Sequence, residues 1–354
     1  MKSAVQNHDG IYFGALEMSE LSSFLLKFKE NKKIIIVDEN THDHCLEYVL
    51  TTFEELKDAE IMLLPCGEEN KVMEVCFQVW QAMSEYEIGR GDLVINLGGG
   101  VVTDMGGFIA AVYKRGVDFI NIPTTLLGMV DAAIGGKTGI DLGPFKNQIG
   151  VFKHAVYTIV DPCFLQTLNE KEYLNGYAEI LKHALIADQK LWKSLVEKDL
   201  QSVPELELIR EAANIKLNIV SEDPFEKGPR KLLNFGHTIG HALEGYFLNS
   251  SPMDHGFAVA LGIIAESYIS LQRKMISEGE FQEITHRILP LFPIPAISEN
   301  SVSDIVQLCR NDKKNTSGRI NCVLLNGIGN ADYNSIVYEH ELTDALNYLR
   351  SLSR

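Results

Sequence analysis

LVINLGGGVVTDMGGFIAAV, residues 93–112, reads as a strand, a glycine turn and a helix. Gly98, Gly99 and Gly100 make the turn. A glycine turn there lets the backbone approach a pyrophosphate, which then sits on the helix N-terminus. The strict G-x-G-x-x-G spacing is not met, because Thr103 stands where the third glycine belongs. Any tight strand-to-helix turn gives similar residues, so the strand before and the helix after carry more weight than the glycines.

The flanks repeat the pattern. KIIIVDEN, EIMLLPCG, DFINIPTT and VYTIVDP each read as a buried strand ending in polar or glycine residues, and segments such as NKVMEVCFQVWQAMSEY have helical periodicity. Strands alternating with helices predict a parallel sheet with helices on both faces, which binds ligands at the carboxyl ends of its strands. After Pro162 the texture changes. EKEYLNGYAEILKHALIAD, LWKSLVEKDL, LELIREAANIKLNIVSED, RKLLNFGHTIGHALEGYF and GFAVALGIIAESYISLQRKM all read as helices, and GRINCVLLNGIG as one late strand or hairpin. The expected organisation is an α/β domain over 1–160 and a mostly α-helical domain over 161–354, with an active site in the cleft between them.

Composition narrows the function classes. The 354 residues, 45% hydrophobic and 23% charged, suit a soluble globular protein of two domains. Six scattered cysteines form no C-x-x-C pair, which argues against a thiolate zinc site or a disulfide framework and fits a reducing, cytoplasmic setting. The opening MKSAVQNHDGIYFG has no apolar core, so no signal peptide is expected. No apolar run approaches the ~20 residues a membrane span needs. A net charge of −16 leaves no global footprint for nucleic acid. Cations gather locally at Lys114 and Arg115, Lys137, Lys146, Arg230 and Lys231, and Lys313 and Lys314. Such groups are either solvated surface or the lining of a pocket for a small anion.

Two further motifs bear on chemistry. DAAIGGKTGID fails as a phosphate-binding P-loop, because Asp131 occupies the position of its first glycine and no strand immediately precedes it. It remains a glycine turn presenting Lys137 beside Asp131. LLNFGHTIGHALE (232–244) places His237 and His241 on one helical face. Thr238 after His237 excludes the H-E-x-x-H of zinc proteases. Further ligand candidates are His255, in MDHGFAVALG, and Glu179 and His183, in NGYAEILKHA, where Lys182 also lies. A glutamate with two histidines suits Zn²⁺ or Co²⁺. Spacing alone leaves open whether His241 or His183 is a ligand.

Taken together, the motifs resemble the 3-dehydroquinate synthase family within the sugar phosphate cyclases. The resemblance rests on GEENK (67–71), GGGVVTDMGGFIAA (98–111), YKRG (113–116), IPTTLLGMVDAAIGGKTGID (122–141), KNQIG (146–150), FLQTL (164–168), GYAEILKHALI (176–186), EKGPRKLLNFGHTIGHALE (226–244), DHGFAVALG (254–262) and DKKN (312–315). The combination is specific and runs along most of the chain. It implies a Rossmann-like NAD-binding domain followed by a helical metal- and substrate-binding domain. It implies bound NAD, one divalent metal (Zn or Co) and a homodimer. The substrate would be a sugar acid phosphate, 3-deoxy-D-arabino-heptulosonate 7-phosphate. Transient oxidation, phosphate elimination, reduction and an intramolecular aldol closure would give 3-dehydroquinate. Other sugar phosphate cyclases and polyol dehydrogenases of the glycerol dehydrogenase type are the alternatives.

Matched by position, the resemblance implies metal ligands at Glu179, His237 and His255. It makes His241 a proton-transfer group with Glu226, and places Lys137 and Asp131 close to the chemistry. NAD contacts fall on Asp38, Glu68, Lys71, Gly99, Gly100, Asp104, Thr124, Thr125, Lys146 and Thr167. Substrate contacts fall on Arg115, Lys137, Lys146, Asn147, Lys182, Lys216, Arg230, Asn234 and Lys314. The chain departs from the family pattern at Cys66, and in DPFEKGPR at Pro224 and Pro229, around Glu226 and Arg230.

Overall fold

A computed structural model describes residues 10–143, 145–198, 204–248, 250–310 and 320–353, with Phe145 described by its backbone alone. Lys313 and Lys314, both named from the sequence, lie outside the described residues. The chain divides into two compact units, Met1–Tyr173 with Val203–Ala213, and Leu174–Ser202 with Asn214–Arg354.

The strands of the first unit are β1 (Ile11–Phe13), β2 (Lys33–Asp38), β3 (Glu60–Leu64), β4 (Leu93–Gly98), β5 (Asp118–Pro123), β6 (Lys137–Leu142), β7 (Phe145–Phe152) and β8 (Tyr157–Val160). Six of them form one parallel sheet in the order β1-β8-β5-β4-β2-β3. Ile34, Ile35, Ile36 and Val37 of β2 are all fully buried, as expected of a parallel strand covered on both faces. From β2 the chain winds outward to β3, then returns to β4 on the other side of β2. This reversal is the topological switch point at which doubly wound sheets bind ligands. Asp38 and Gly98 end the two strands that flank it.

Gly99 caps the helix Gly100–Val112. Thr103 folds its hydroxyl back to the carbonyls of Gly99 and Gly100, at 3.2 and 3.1 Å. Close approach of helix to sheet comes later, at Gly106, where a Cβ would overlap Asn96 Oδ1 of β4. The tight packing usually supplied by the third glycine of the dinucleotide motif is thus moved along the helix. The antiparallel hairpin of β6 and β7 was not expected from sequence, which shows only a glycine turn there. Asp131 lies in a π-helical turn, Gly128–Ala132, before β6.

The second unit is mainly helical. Its elements include most of Glu170–Ala187, then Gln189–Glu197, His237–Phe247, His255–Gln272, Glu278–Ile288, Glu299–Arg310 and Glu339–Leu352. Strands β9 (Ile320–Leu325) and β10 (Ala331–Val337) form an antiparallel hairpin. RKLLNFGHTIGHALEGYF is not one helix. A 3₁₀ segment, Pro229–Asn234, ends before Gly236, which has φ +78° and starts the His237 helix. A side chain at Gly236 would be strained and would meet Ile263 Cγ1 at 2.7 Å. The break lets the His237 and His255 helices cross closely, with Gly262 against the Gly236 carbonyl. No helix among the described residues is long and apolar enough to cross a membrane.

Candidate functional site

Three helices of the second unit bring their ionisable residues together. Glu179 is fully buried in the Glu170–Ala187 helix. Its Oε1 lies 3.7 Å from His237 Nε2 and 3.7 Å from His255 Nε2. Both carboxylate oxygens are buried without a hydrogen-bond partner, and the Lys182 ammonium faces Oε2. Lys182 compensates Oε2, and the buried Oε1 between two imidazoles is placed to take a further cation. Ligand atoms around a tetrahedral zinc ion at ordinary bond lengths are separated by about 3.4 Å, so edges of 3.7 Å fit a metal held by this trio.

The far sides of the imidazoles point the same way. His237 Nδ1 is 3.1 Å from the Phe235 carbonyl, which accepts a hydrogen bond from that nitrogen, so Nε2 is the nitrogen that could ligate a metal. His255 Nδ1 faces Glu244 Oε2 at 3.7 Å. Glu244 was missed from sequence, although it stands seven residues after His237 and so shares its helix face. His241 remains close, with its ring centroid 5.3 Å from that of His237 and 5.7 Å from that of His255. Ligand atoms of His237, His241 and His255 all lie within 4.8 Å of one another. Glu179 Oε1 thus stands within 4 Å of two of the three clustered imidazoles, those of His237 and His255. His183 is buried one turn after Glu179.

The loop before the His237 helix is built on Asp223. Its carboxylate accepts the backbone N–H groups of Lys227, Gly228 and Arg230, at 2.9, 2.6 and 3.2 Å. Desolvation raises the Asp223 pKa, but these donors outweigh it and hold the carboxyl below its ordinary value. Arg230 is buried and donates to the Pro224 carbonyl at 2.6 Å, while Pro229 starts the 3₁₀ segment. Both family-atypical prolines therefore fit the loop. Glu226 has φ +58° and its Oε1 accepts from Asn234 Nδ2 at 2.8 Å, so these two candidates sit together. Lys216 is also buried in this unit.

In the first unit the candidates form a second group. Lys71 is buried, and its ammonium donates to Asp104 Oδ2 at 2.7 Å and Asn147 Oδ1 at 2.8 Å. Glu68 Oε1 lies 3.8 Å from both Lys71 and Lys146. Burial lowers the Lys71 pKa, but Asp104, Glu68 and Asp141 outweigh it and raise it above the ordinary lysine value. Asp141 was not singled out from sequence. It accepts the Asn147 N–H at 2.6 Å, and burial raises its own pKa. An acidic residue inside the β6 strand was the available signal.

At the carboxyl ends of the strands, Thr124 N–H donates to the Gly98 carbonyl at 3.0 Å, which ties β5 to β4. Thr124 Oγ1 is buried with no hydrogen-bond partner, as a site for a polar ligand would leave it. Thr125 Oγ1 accepts the Gly128 N–H at 3.1 Å. Asp38 caps the following short helix by accepting from Thr41. Thr167 and Lys137 are exposed, and Arg115 is exposed on a turn of positive φ.

Models of the 3-dehydroquinate synthase N-terminal and C-terminal regions match residues 61–175 and 176–315. A 3-dehydroquinate synthase of Parabacteroides distasonis is 38% identical over 94% of this chain and 95% of its own. One from Clostridium botulinum is 37% identical over 88% of this chain and 90% of its own. A 2-epi-5-epi-valiolone synthase of Streptomyces hygroscopicus, solved with NAD⁺ and Zn²⁺ bound, superposes with a TM-score of 0.84 at 28% identity, covering 100% of this chain and 99% of its own.

Proposed function

The chain belongs to the 3-dehydroquinate synthase family, and from that premise we propose how its residues convert 3-deoxy-D-arabino-heptulosonate 7-phosphate into 3-dehydroquinate and phosphate. The observation that carries the reading is the state of Glu179, buried without hydrogen bonds and 3.7 Å from two imidazole Nε2 atoms. Glu179, His237 and His255 hold a divalent metal, zinc or cobalt. When bound, that ion polarises an alcohol and NAD supplies a reversible oxidation that nets to zero.

The chain's own part is binding, orientation and proton movement. Asp38, Gly99, Gly100, Thr124 and Thr125 cluster at strand ends where a dinucleotide lies in such sheets. Lys71, Asp104, Glu68 and Lys146 form the charged frame beside them, and Thr167 completes the NAD set. Arg115, Lys137, Lys146, Asn147, Lys182, Lys216, Arg230 and Asn234 carry the cations and amides that meet carboxylate, phosphate and hydroxyls. His241 moves the proton, with Glu226 as its partner in that role and Lys137 and Asp131 close by. The buried cations Arg230 and Lys216 favour an anionic substrate over a neutral polyol.

The test is release of inorganic phosphate from the heptulosonate phosphate in the presence of NAD⁺ and Zn²⁺, with NADH absorbance followed in parallel. Phosphate release without accumulating NADH is the expected result. NADH accumulating without phosphate would assign a dehydrogenase instead.

A further inference from the structure

Glu266 lies in the middle of the His255 helix, and its side chain is fully buried. Its carboxylate turns to the start of the neighbouring helix, where Oε2 accepts the Gly236 N–H at 2.8 Å. Oε1 accepts the N–H groups of Thr238 at 3.2 Å and Ile239 at 3.4 Å. These donors bracket His237. The first turn of a helix leaves its N–H groups without intrahelical partners, and a buried anion there satisfies them and complements the helix dipole.

We propose that Glu266 is a positioning residue for the metal centre, acting through the first turn of the His237 helix. Gly236 takes a left-handed conformation, so it fits where a capping side chain would not, and no side-chain cap is supplied locally. The cap comes instead from the helix that begins with His255. One carboxylate therefore ties the backbone of one proposed ligand to the helix of another. It fixes His237 backbone position, and with it the aim of Nε2 at Glu179. Gly262, one turn before Glu266, packs against the Gly236 carbonyl and adds to the same joint. The His237 Nδ1 contact to Phe235, two residues upstream, depends on the same backbone.

The proposal rests on the metal reading above, and the experiment separates the two. The full-length protein and its Glu266→Ala, Glu266→Asp and Glu266→Gln variants are titrated with Zn²⁺ against a chromophoric chelator, without substrate. NAD⁺ affinity, kcat and KM are measured in parallel. The alanine and aspartate variants are expected to bind zinc about 10- to 100-fold more weakly, the range for residues that orient ligands from behind. Their kcat should fall at limiting zinc, with NAD⁺ affinity unchanged. The glutamine variant keeps one acceptor oxygen and should recover most of the zinc affinity. A general loss of folding would weaken zinc and NAD⁺ binding together in the aspartate and glutamine variants, which would overturn a positioning role. So would variants that fold cooperatively and bind zinc as the wild type does. Wild-type protein that binds no zinc would overturn the metal reading, and the proposal with it.

Discussion

The two groups of candidate residues differ in how far the protein satisfies them by itself. In the first unit, Lys71 is buried but surrounded by Asp104, Asn147 and Glu68, and Asp38 spends its carboxylate on a helix cap. In the second unit, Glu179 is buried more completely; its Oε2 meets only the Lys182 ammonium, and its Oε1 is shared between two imidazoles. The first arrangement is a closed charge network and the second is an open one. A closed network builds a rigid rim against which a dinucleotide can lie. An open one stores an electrostatic demand that a cation meets. The contrast yields four predictions, in order of falling effect.

His237→Ala opens the metal trio and should be the most damaging. It should remove zinc from the purified protein and lower kcat/KM by about 1000-fold or more, the several kcal/mol that a catalytic metal contributes. Metal content by atomic emission is the check. A zinc-to-protein ratio equal to wild type would mean that the open network is closed by something other than this metal.

His241→Ala sharpens the same side. Distances place His241 within the same cluster as His237 and His255. If its task is proton transfer, zinc content stays at the wild-type level while kcat drops by about 10²- to 10⁴-fold. Loss of zinc would move His241 into the ligand set. The pair of histidine variants thus tells whether Glu179 or His241 completes the coordination.

Lys71→Met tests the closed network. Removing the cation takes from Asp104, Glu68 and Asn147 the ammonium that all three approach. Breaking a buried pair from one side costs about 3–5 kcal/mol, and Asp104's partial exposure places this case at the lower end. The stability loss should appear in urea melts of the metal-free and metal-loaded protein alike. A melt unchanged from wild type would show that the network is not what holds this rim together.

How much of this could be read from the chain depended on the range of the interaction. Strands β2 to β5 announce themselves as apolar runs ending in glycine or polar residues, because a parallel strand buries both faces. The glycine turn at 98–100 is legible for the same local reason. The break at Gly236 was not, since a glycine inside an apolar helical pattern looks tolerable until the crossing helix is known to sit where its Cβ would go. Lys71 meets Asp104 and Asn147 across 33 and 76 residues of chain, a pairing no periodicity reveals. The hairpin of β6 and β7 lacks a continuous apolar run and so left no trace. For the histidines, spacing gave a face but not a role.

Gly99→Ala is the mildest change and the most specific. A Cβ at this position would meet Thr125 Cγ2 at 2.9 Å, close enough that one of the two must shift. Gly99 has φ −73°, which alanine adopts freely, so backbone strain plays no part. The methyl instead pushes on the strand-end threonines and occupies space where a dinucleotide backbone would approach. NAD⁺ affinity should fall by about tenfold, or roughly 1.4 kcal/mol, while zinc content and the metal-dependent part of the stability remain as in wild type. Equilibrium binding by NAD⁺ fluorescence titration, beside a zinc assay, reads both. A variant that lost zinc with NAD⁺ would show that the closed and open networks are energetically one, whereas loss of NAD⁺ alone would show that each can be perturbed without the other.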